Sequence, residues 1–416
     1  MIENYNDLSD LQRSNVEYFL ARADSNRLNI LHDKFNVIRG RNHINYRENV
    51  VRDLMIGQVP FSPFLTWLCH VELEGNDSLF IYEAEEEDFL NEHTIDSLYE
   101  SQINNLTPLY NINPDQLKKI ELVDVSKIPE KEQVIFTIAA PSQIQVKKLD
   151  GQIELRNHVY LAYIVVDFKI KSVILFMHPT AGLTSIYGES KKREIDDVTW
   201  IILHYFRENI LEFTLKEPEW IVNALAKISE EYFYHNNPII EEKIENFSEK
   251  FMPDIIKMLK EFDPHMDRED SLLRLKRGIE GIYESEMIVI HKRIEREISF
   301  RIFLQQSDRG LTQFRANTRG KALSHAEAAD IIRLMWEHGE VLNVGIIHAE
   351  NQKEYPYIIK KLEKYYSLKK YTTSGTEKEV VDNVLRKLNK YKEEVESIYS
   401  FSGIEEIGLG IDDSQA

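Results

Sequence analysis

Apolar positions are densest between His158 and Met177. His158 to Phe168 reads HVYLAYIVVDF and Ser172 to Met177 reads SVILFM, with a polar break at Lys169 to Lys171. Runs this rich in β-branched and aromatic residues predict the two strands of a hairpin. In the first run both alternate sets are apolar: Val159, Leu161, Tyr163 and Val165 against Tyr160, Ala162, Ile164 and Val166. That strand is therefore expected to be buried on both faces, at the centre of the core. Upstream, Ile120 to Val125, Val134 to Ile138 and Gln143 to Leu149 read as further strands, the last turning through Asp150-Gly151 into Gln152 to Leu155. Phe64 to Leu73 and Leu79 to Ala84 read as another hairpin around Glu74 to Asp77, with Cys69 as a small core residue. An amphipathic helix with Leu11, Val16, Phe19 and Leu20 on one face, capped by Ser9 or Asp10, opens the chain.

From Asp196 the period becomes helical. Val198, Ile201, Ile202, Tyr205 and Phe206 form one stripe, and Trp220, Ile221, Leu225 and Ile228 another. Leu272, Leu275, Ile279, Ile282, Met287, Ile290, Ile294, Ile298 and Ile302 predict one long helix over about 268–305, long enough to brace two units or a partner chain. Ser324 with Glu327 forms a capping-box pattern for a helix to Glu337. Val341 to Ile347 then reads as a strand, and Lys353 to Tyr366 and Glu377 to Ile398 as helices. The expected fold is α+β: an N-terminal, largely antiparallel sheet with flanking helices, then a mainly helical C-terminal half. The expected divisions are an α+β domain over 1–190, a helical region with the long helix over 191–306, a mixed region with a short strand over 307–402 and a flexible tail over 403–416.

Composition narrows the function classes. With 43% hydrophobic and 29% charged residues over 416 positions, the chain is of globular type. Its single cysteine excludes an internal disulfide framework and a cysteine-cluster zinc site, and fits a reducing compartment. No apolar run approaches the roughly 18 residues of a membrane span, and the N-terminal residues lack the pattern of a secretory leader. The expected location is the cytoplasm, with no membrane partner. A net charge of -19 repels nucleic acid globally, so any such contact needs a local basic patch.

Two patterns carry candidate catalytic chemistry. Asp150 at a turn, followed by a strand that ends Asp167-Phe168-Lys169, is similar to the Asp, then Asp/Glu-x-Lys arrangement of restriction-endonuclease-like nucleases. That resemblance covers only about 20 residues. It implies Asp150 and Asp167 as ligands of a divalent ion such as Mg2+, with Lys169 stabilising the attacking water or the phosphate charge. The competing explanation is that hairpin turns select charged residues on their own account. The Arg-x4-6-His spacing of helical HEPN-type ribonucleases occurs at Arg27 with His32, Arg319 with His325 and Arg333 with His338, about as often as chance predicts. His325-Ala-Glu327 and His348-Ala-Glu350 carry half of a zinc-deaminase signature without its cysteines, and are expected on the surface. No phosphate-binding glycine loop, Gly-x-Ser-x-Gly elbow or His-Glu-x-x-His helix is present.

Between Leu272 and Lys321 basic residues outnumber acids in an otherwise acidic chain. Arg309, Arg315, Arg319 and Lys321, in an expected loop with Gln313, Asn317 and Thr318, carry donors suited to DNA or RNA phosphates. Pairing with acidic surface elsewhere in the protein, or on another subunit, is the alternative. The expected function is a non-catalytic or regulatory protein of the bacterial cytoplasm, an accessory or defence factor. It would act through a protein partner or self-association, with possible nucleic-acid contact; the metal-dependent nuclease is the alternative.

Overall fold

The computed structural model describes residues 2–73, 77–86, 90–192, 194–233, 237–262, 269–291, 298–308, 313–319, 340–372 and 377–407. They form two compact units, one from residues to 218 together with 362–385, the other from 219–361 and 386 onward.

The first unit opens with helices α1 (Asp10–Leu20), α2 (Ser25–Phe35), α3 (His43–Met55) and α4 (Phe61–Cys69). Ser9 caps α1 through a reciprocal capping box with Gln12, as the sequence pattern requires. Its strands are β1 (Ser78–Ala84), β2 (Glu121–Ile128), β3 (Gln133–Lys147), β4 (Ile153–Asp167), β5 (Ser172–Met177), β6 (Leu183–Ile186), β7 (Glu189–Ser190), β8 (Leu215–Lys216) and β13 (Tyr366–Lys370), with helices α5 (Ile95–Gln102) and α6 (Thr199–Asn209). The sheet runs β13-β1-β5-β4-β3-β6-β7. Successive stretches of the outer edge of β3 are covered by β2 and then β6, while β13 pairs with Ser78–Ile81 of β1 and β8 with Glu83 and Ala84. One face packs Phe136, Tyr160, Ile164 and Leu175 against Ile201, Ile202 and Phe206 of α6. The opposite face, with Leu161, Tyr163, Val165 and Phe176, is buried as well, as the doubly apolar pattern of this strand predicts.

The second unit contains helices α7 (Trp220–Phe233), α8 (Pro238–Lys250), α9 (Met252–Phe262) and α10 (Glu269–His291), and strands β9 (Arg301–Asp308), β10 (Gln313–Asn317), β11 (Glu340–Glu350) and β12 (Lys353–Lys361). These strands are antiparallel in the order β10-β9-β11-β12. Helix α11 (Lys378–Ile407) begins in the first unit and continues in the second.

The expectation of an N-terminal sheet followed by a helical half is overturned. Four helices precede the first strand, and β9 to β13 lie in the C-terminal half. Phe64 to Leu73 is not a strand: Phe61, Phe64, Leu65, Leu68 and Cys69 are the buried set of α4, at helical rather than alternate spacing. The long helix of 268–305 stops its described course at His291, and Arg301 onward is strand, with Ile302, Phe303 and Leu304 buried in a continuous run. Lys353 to Tyr366 is not a helix either. Tyr357 and Ile359 are buried at alternate positions, and Asn351 and Gln352 both hold positive φ, forming a two-residue hairpin turn between β11 and β12. The helix expected over 324–337 lies outside the described residues.

Candidate functional site

The long hairpin β3–β4 places the residues of the nuclease-like pattern. Each strand has 15 residues, in unbroken register from Gln133↔Asp167 to Lys147↔Ile153. Asp150 lies in the turn at one end, where its Oδ1 accepts from the Gln152 N–H at 2.9 Å and Gly151 holds φ 83°. Asp167 lies at the other end. At about 3.3 Å per residue, the length of β4 separates the two carboxylates by on the order of 45 Å along the strand. They do not converge on one ion. Lys169, in the turn beyond Asp167, shares that remote end with it. Among the described residues, no three His, Cys, Asp or Glu side chains converge as metal ligands.

Asp167 has a different employment. Its Oδ1 accepts from the N–H groups of Lys169 at 3.0 Å and Ile170 at 3.2 Å, which shapes the turn into β5. Its Oδ2 accepts from Gln133 Nε2 at 2.5 Å. Gln133 Nε2 also reaches Asp382 at 3.3 Å, while its Oε1 accepts from Lys378 Nζ. Lys378 contacts both oxygens of Asp382, at 2.9 and 3.0 Å, and Lys131 adds a second ammonium at 2.9 Å. Two carboxylates, two ammonium groups and an amide thus satisfy one another, and the first turn of α11 is pinned to the end of the β3–β4 hairpin. Burial raises the Asp167 carboxyl above its ordinary pKa and lowers the Lys378 amine below its own. Asp167 thus makes three hydrogen bonds that shape and anchor its turn.

A second polar group caps a strand edge. β5 pairs with β4 only over Ala162–Asp167, so Val159 extends past the end of β5. There α1 takes over. The Val159 N–H donates to the Tyr18 hydroxyl at 3.2 Å, and Arg22 Nη1 donates to the Val159 carbonyl at 2.8 Å. Arg22 is held in turn by both oxygens of Glu72, at 2.7 and 2.6 Å. The Tyr18 hydroxyl hydrogen-bonds with His158 Nδ1 at 2.7 Å; burial, with the nearby Arg22 charge, pushes that imidazole down to about 3. Close by, His178 Nδ1 contacts the buried Asp77 carboxylate at 3.1 Å. Sequence reasoning gave none of these residues a role, because pairs separated by 50 to 141 positions leave no local spacing signal.

In the second unit Arg315 and Arg319 are exposed on β10 and just beyond it, and neither forms an ion pair with a described residue. Asn317 and Thr318 are used structurally: Asn317 Oδ1 accepts from the Arg319 N–H at 2.7 Å, and Thr318 Oγ1 donates to the Phe303 carbonyl at 3.0 Å. Arg309, Lys321, His325, Glu327, Arg333 and His338 lie outside the described residues. His348, expected on the surface, is buried: Glu350 contacts its Nε2 at 3.0 Å and Lys387 approaches its Nδ1 at 3.4 Å. His32 is bound to the Val37 carbonyl at 2.8 Å.

Two exposed apolar surfaces stand out among the described residues. Leu149, Ile153 and Leu155 stand in solvent on the distal part of the β3–β4 hairpin, and Phe251, Met258 and Phe262 on and beside α9. No protein-family model matches the chain, and no curated protein matches it. No described helix is long and apolar enough to cross a membrane.

Proposed function

We propose that this chain is a non-catalytic, regulatory assembly protein of the bacterial cytoplasm that docks a partner protein on its second unit. The observation that carries the reading is the apolar stripe of α9. Phe251, Ile255, Met258, Leu259 and Phe262 recur at helical spacing on one face. A stripe of this kind ordinarily faces a core. Here Phe251 is 58%, Met258 68% and Phe262 91% exposed, Ile255 and Leu259 are half-buried, and Met252 is the helix's one buried residue among those described. Covering a Phe or Met side chain stabilises a complex by roughly 1.5–3 kcal/mol before the costs of association. The partner that fits is a protein offering an apolar groove or a complementary amphipathic helix.

The test is isolation of the chain at its native level, followed by size exclusion and mass spectrometry. A stoichiometric second protein is expected, released by Met258→Glu with Phe262→Glu at an unchanged melting temperature. A wild-type chain that elutes with no second protein overturns the reading.

Arg315 and Arg319, both exposed and in no ion pair with a described residue, support a second reading, contact with nucleic-acid phosphate against an unfavourable net charge of -19. Binding of single-stranded RNA or DNA would then fall steeply with salt, and Arg315→Ala or Arg319→Ala would each reduce the salt slope by about one. Affinity that is indifferent to both substitutions removes it.

A further inference from the structure

We propose that a second copy of this chain adds to the open edge of β4, strand against strand, about a two-fold axis at Leu155. This goes beyond the α9 reading and concerns the other unit.

The edge is open by construction. Pro141 has no N–H and pairs with Val159, whose own N–H and C=O are taken by α1, so this pair exchanges no ladder bonds. Antiparallel pairs alternate, so Gln143↔Asn157, Gln145↔Leu155 and Lys147↔Ile153 are of the same non-bonded kind. Two contacts agree with this phase: the Gln145 N–H turns outward to the Gly182 carbonyl, and Lys148 donates to the Gln152 carbonyl. On β4, the N–H and C=O groups of Ile153, Leu155 and Asn157 therefore point away from β3. Among the described residues no strand pairs with β4 there, since its pairing with β5 begins only at Ala162. The Asn157 side chain donates to Asp115 at 3.0 Å, which marks the inner end of the open stretch.

The sequence on that edge is self-complementary. Ile153-Glu154-Leu155-Arg156-Asn157, paired antiparallel with itself, sets Leu155 against Leu155, Ile153 against Asn157, and Glu154 against Arg156 of the second copy. Pairs of odd-numbered residues meet, so the outward N–H and C=O groups fall in the hydrogen-bonding phase. Within one chain Arg156 already lies beside Glu154 at 2.8 Å; the copy extends this into an alternating row of opposite charges. Ile153 is 68% and Leu155 58% exposed, and each comes against the partner strand. An edge with no Lys or Pro pointing along it is the kind that natural sheets otherwise protect. Charge pairing favours a second copy over an unrelated strand, because like charges directly opposite are destabilising.

Sedimentation velocity of the full chain over a concentration series tests this. The wild type is expected to move from one to two chain masses as concentration rises. Leu155→Pro removes an N–H that β3 does not use, so the hairpin folds while dimerisation is lost. Arg156→Glu alone and Glu154→Arg alone each set like charges opposite one another and are expected to weaken dimerisation at least about tenfold. Mixing these two variants, or combining them in one chain, restores it. Circular dichroism melts verify folding of each variant, and Met258→Glu with Phe262→Glu leaves the dimer intact, which separates this surface from α9. A wild type that stays at one chain mass at every concentration, or a dimer indifferent to Leu155→Pro and to the charge variants, overturns the proposal.

Discussion

Asp167→Ala separates a turn residue from a metal ligand. In the wild type its carboxylate serves the Lys169 N–H, the Ile170 N–H and Gln133 Nε2. Removing it leaves the Ile170 N–H and the Gln133 amide buried without this partner, at about 1–3 kcal/mol each. The half-exposed Lys169 N–H recovers a water partner. Part of the loss is offset because the ionised carboxylate was itself disfavoured by burial, as its raised pKa records. The expected net loss is about 2–4 kcal/mol. Asp167→Asn is the informative companion. Its Oδ1 still accepts from the turn, but its Nδ2 opposes Gln133 Nε2, and Gln133 cannot flip because its Oε1 accepts from Lys378. Asn is therefore expected to cost about 1–2 kcal/mol, less than Ala and more than nothing. Urea unfolding of each variant, followed on the first transition, measures this, beside a cleavage assay on DNA and RNA with Mg2+ and with EDTA. An Asp167→Ala protein of wild-type stability that has lost metal-dependent cleavage would refute the reasoning and restore Asp167 as a ligand.

Other perturbations have signs that follow from the structure. Burial pushes the Asp77 carboxyl up to about 6; burial alone would lower His178, but its bond to Asp77 leaves it raised. Both groups bind protons more tightly folded than unfolded. The stability they contribute is thus fully present below about pH 4 and lost as pH rises through about 6 and then through the His178 value, with Asp77 accounting for about 3 kcal/mol. Asp77→Asn should flatten this part of the pH–stability curve, and an unchanged slope would count against the assignment. Arg22→Ala strands the largely buried Glu72 carboxylate and frees the Val159 carbonyl; a loss of about 3–5 kcal/mol is expected in denaturant titration. Gly345→Ala places a Cβ 2.7 Å from Leu304 Cβ and from Phe303 Cζ, so an overpacking cost of about 1–3 kcal/mol is expected, and a neutral melting temperature would be the contrary result.

What could be read from the sequence was local. The hairpin of β4 and β5 was legible because apolar residues fill both alternate sets, and the Asp150-Gly151 turn because glycine supplies the positive φ it needs. The register of β3 with β4 follows from that turn, yet the strands are longer than their apolar cores, since positions 153–157, exposed or half-buried, are paired with β3 outside any buried face. Phe64 to Leu73 satisfied both periods, and only burial of Phe61, Phe64 and Leu68 on one side decides for helix. In β12 the alternation of Tyr357 and Ile359 was masked by flanking lysines that suit a helix equally well. The buried network of Gln133, Asp167, Lys378 and Asp382 was not legible, because hydrogen bonds across 245 and more positions depend on where α11 begins in space. In the Asp-x-Lys string, the Asp167 carboxylate accepts from the turn N–H groups of Lys169 and Ile170.

The position of α1 across Val159 also bounds the strand pairing proposed for the β4 edge. Tyr18 and Arg22 occupy the bonding groups that a longer incoming strand would need, and on the other side of the arm β6 already holds Ser142 to Ile144. The stretch of β4 open to such pairing therefore has a fixed length, Ile153 to Asn157. If the edge self-pairs as proposed, α1 sets the inner limit of the paired stretch at Val159.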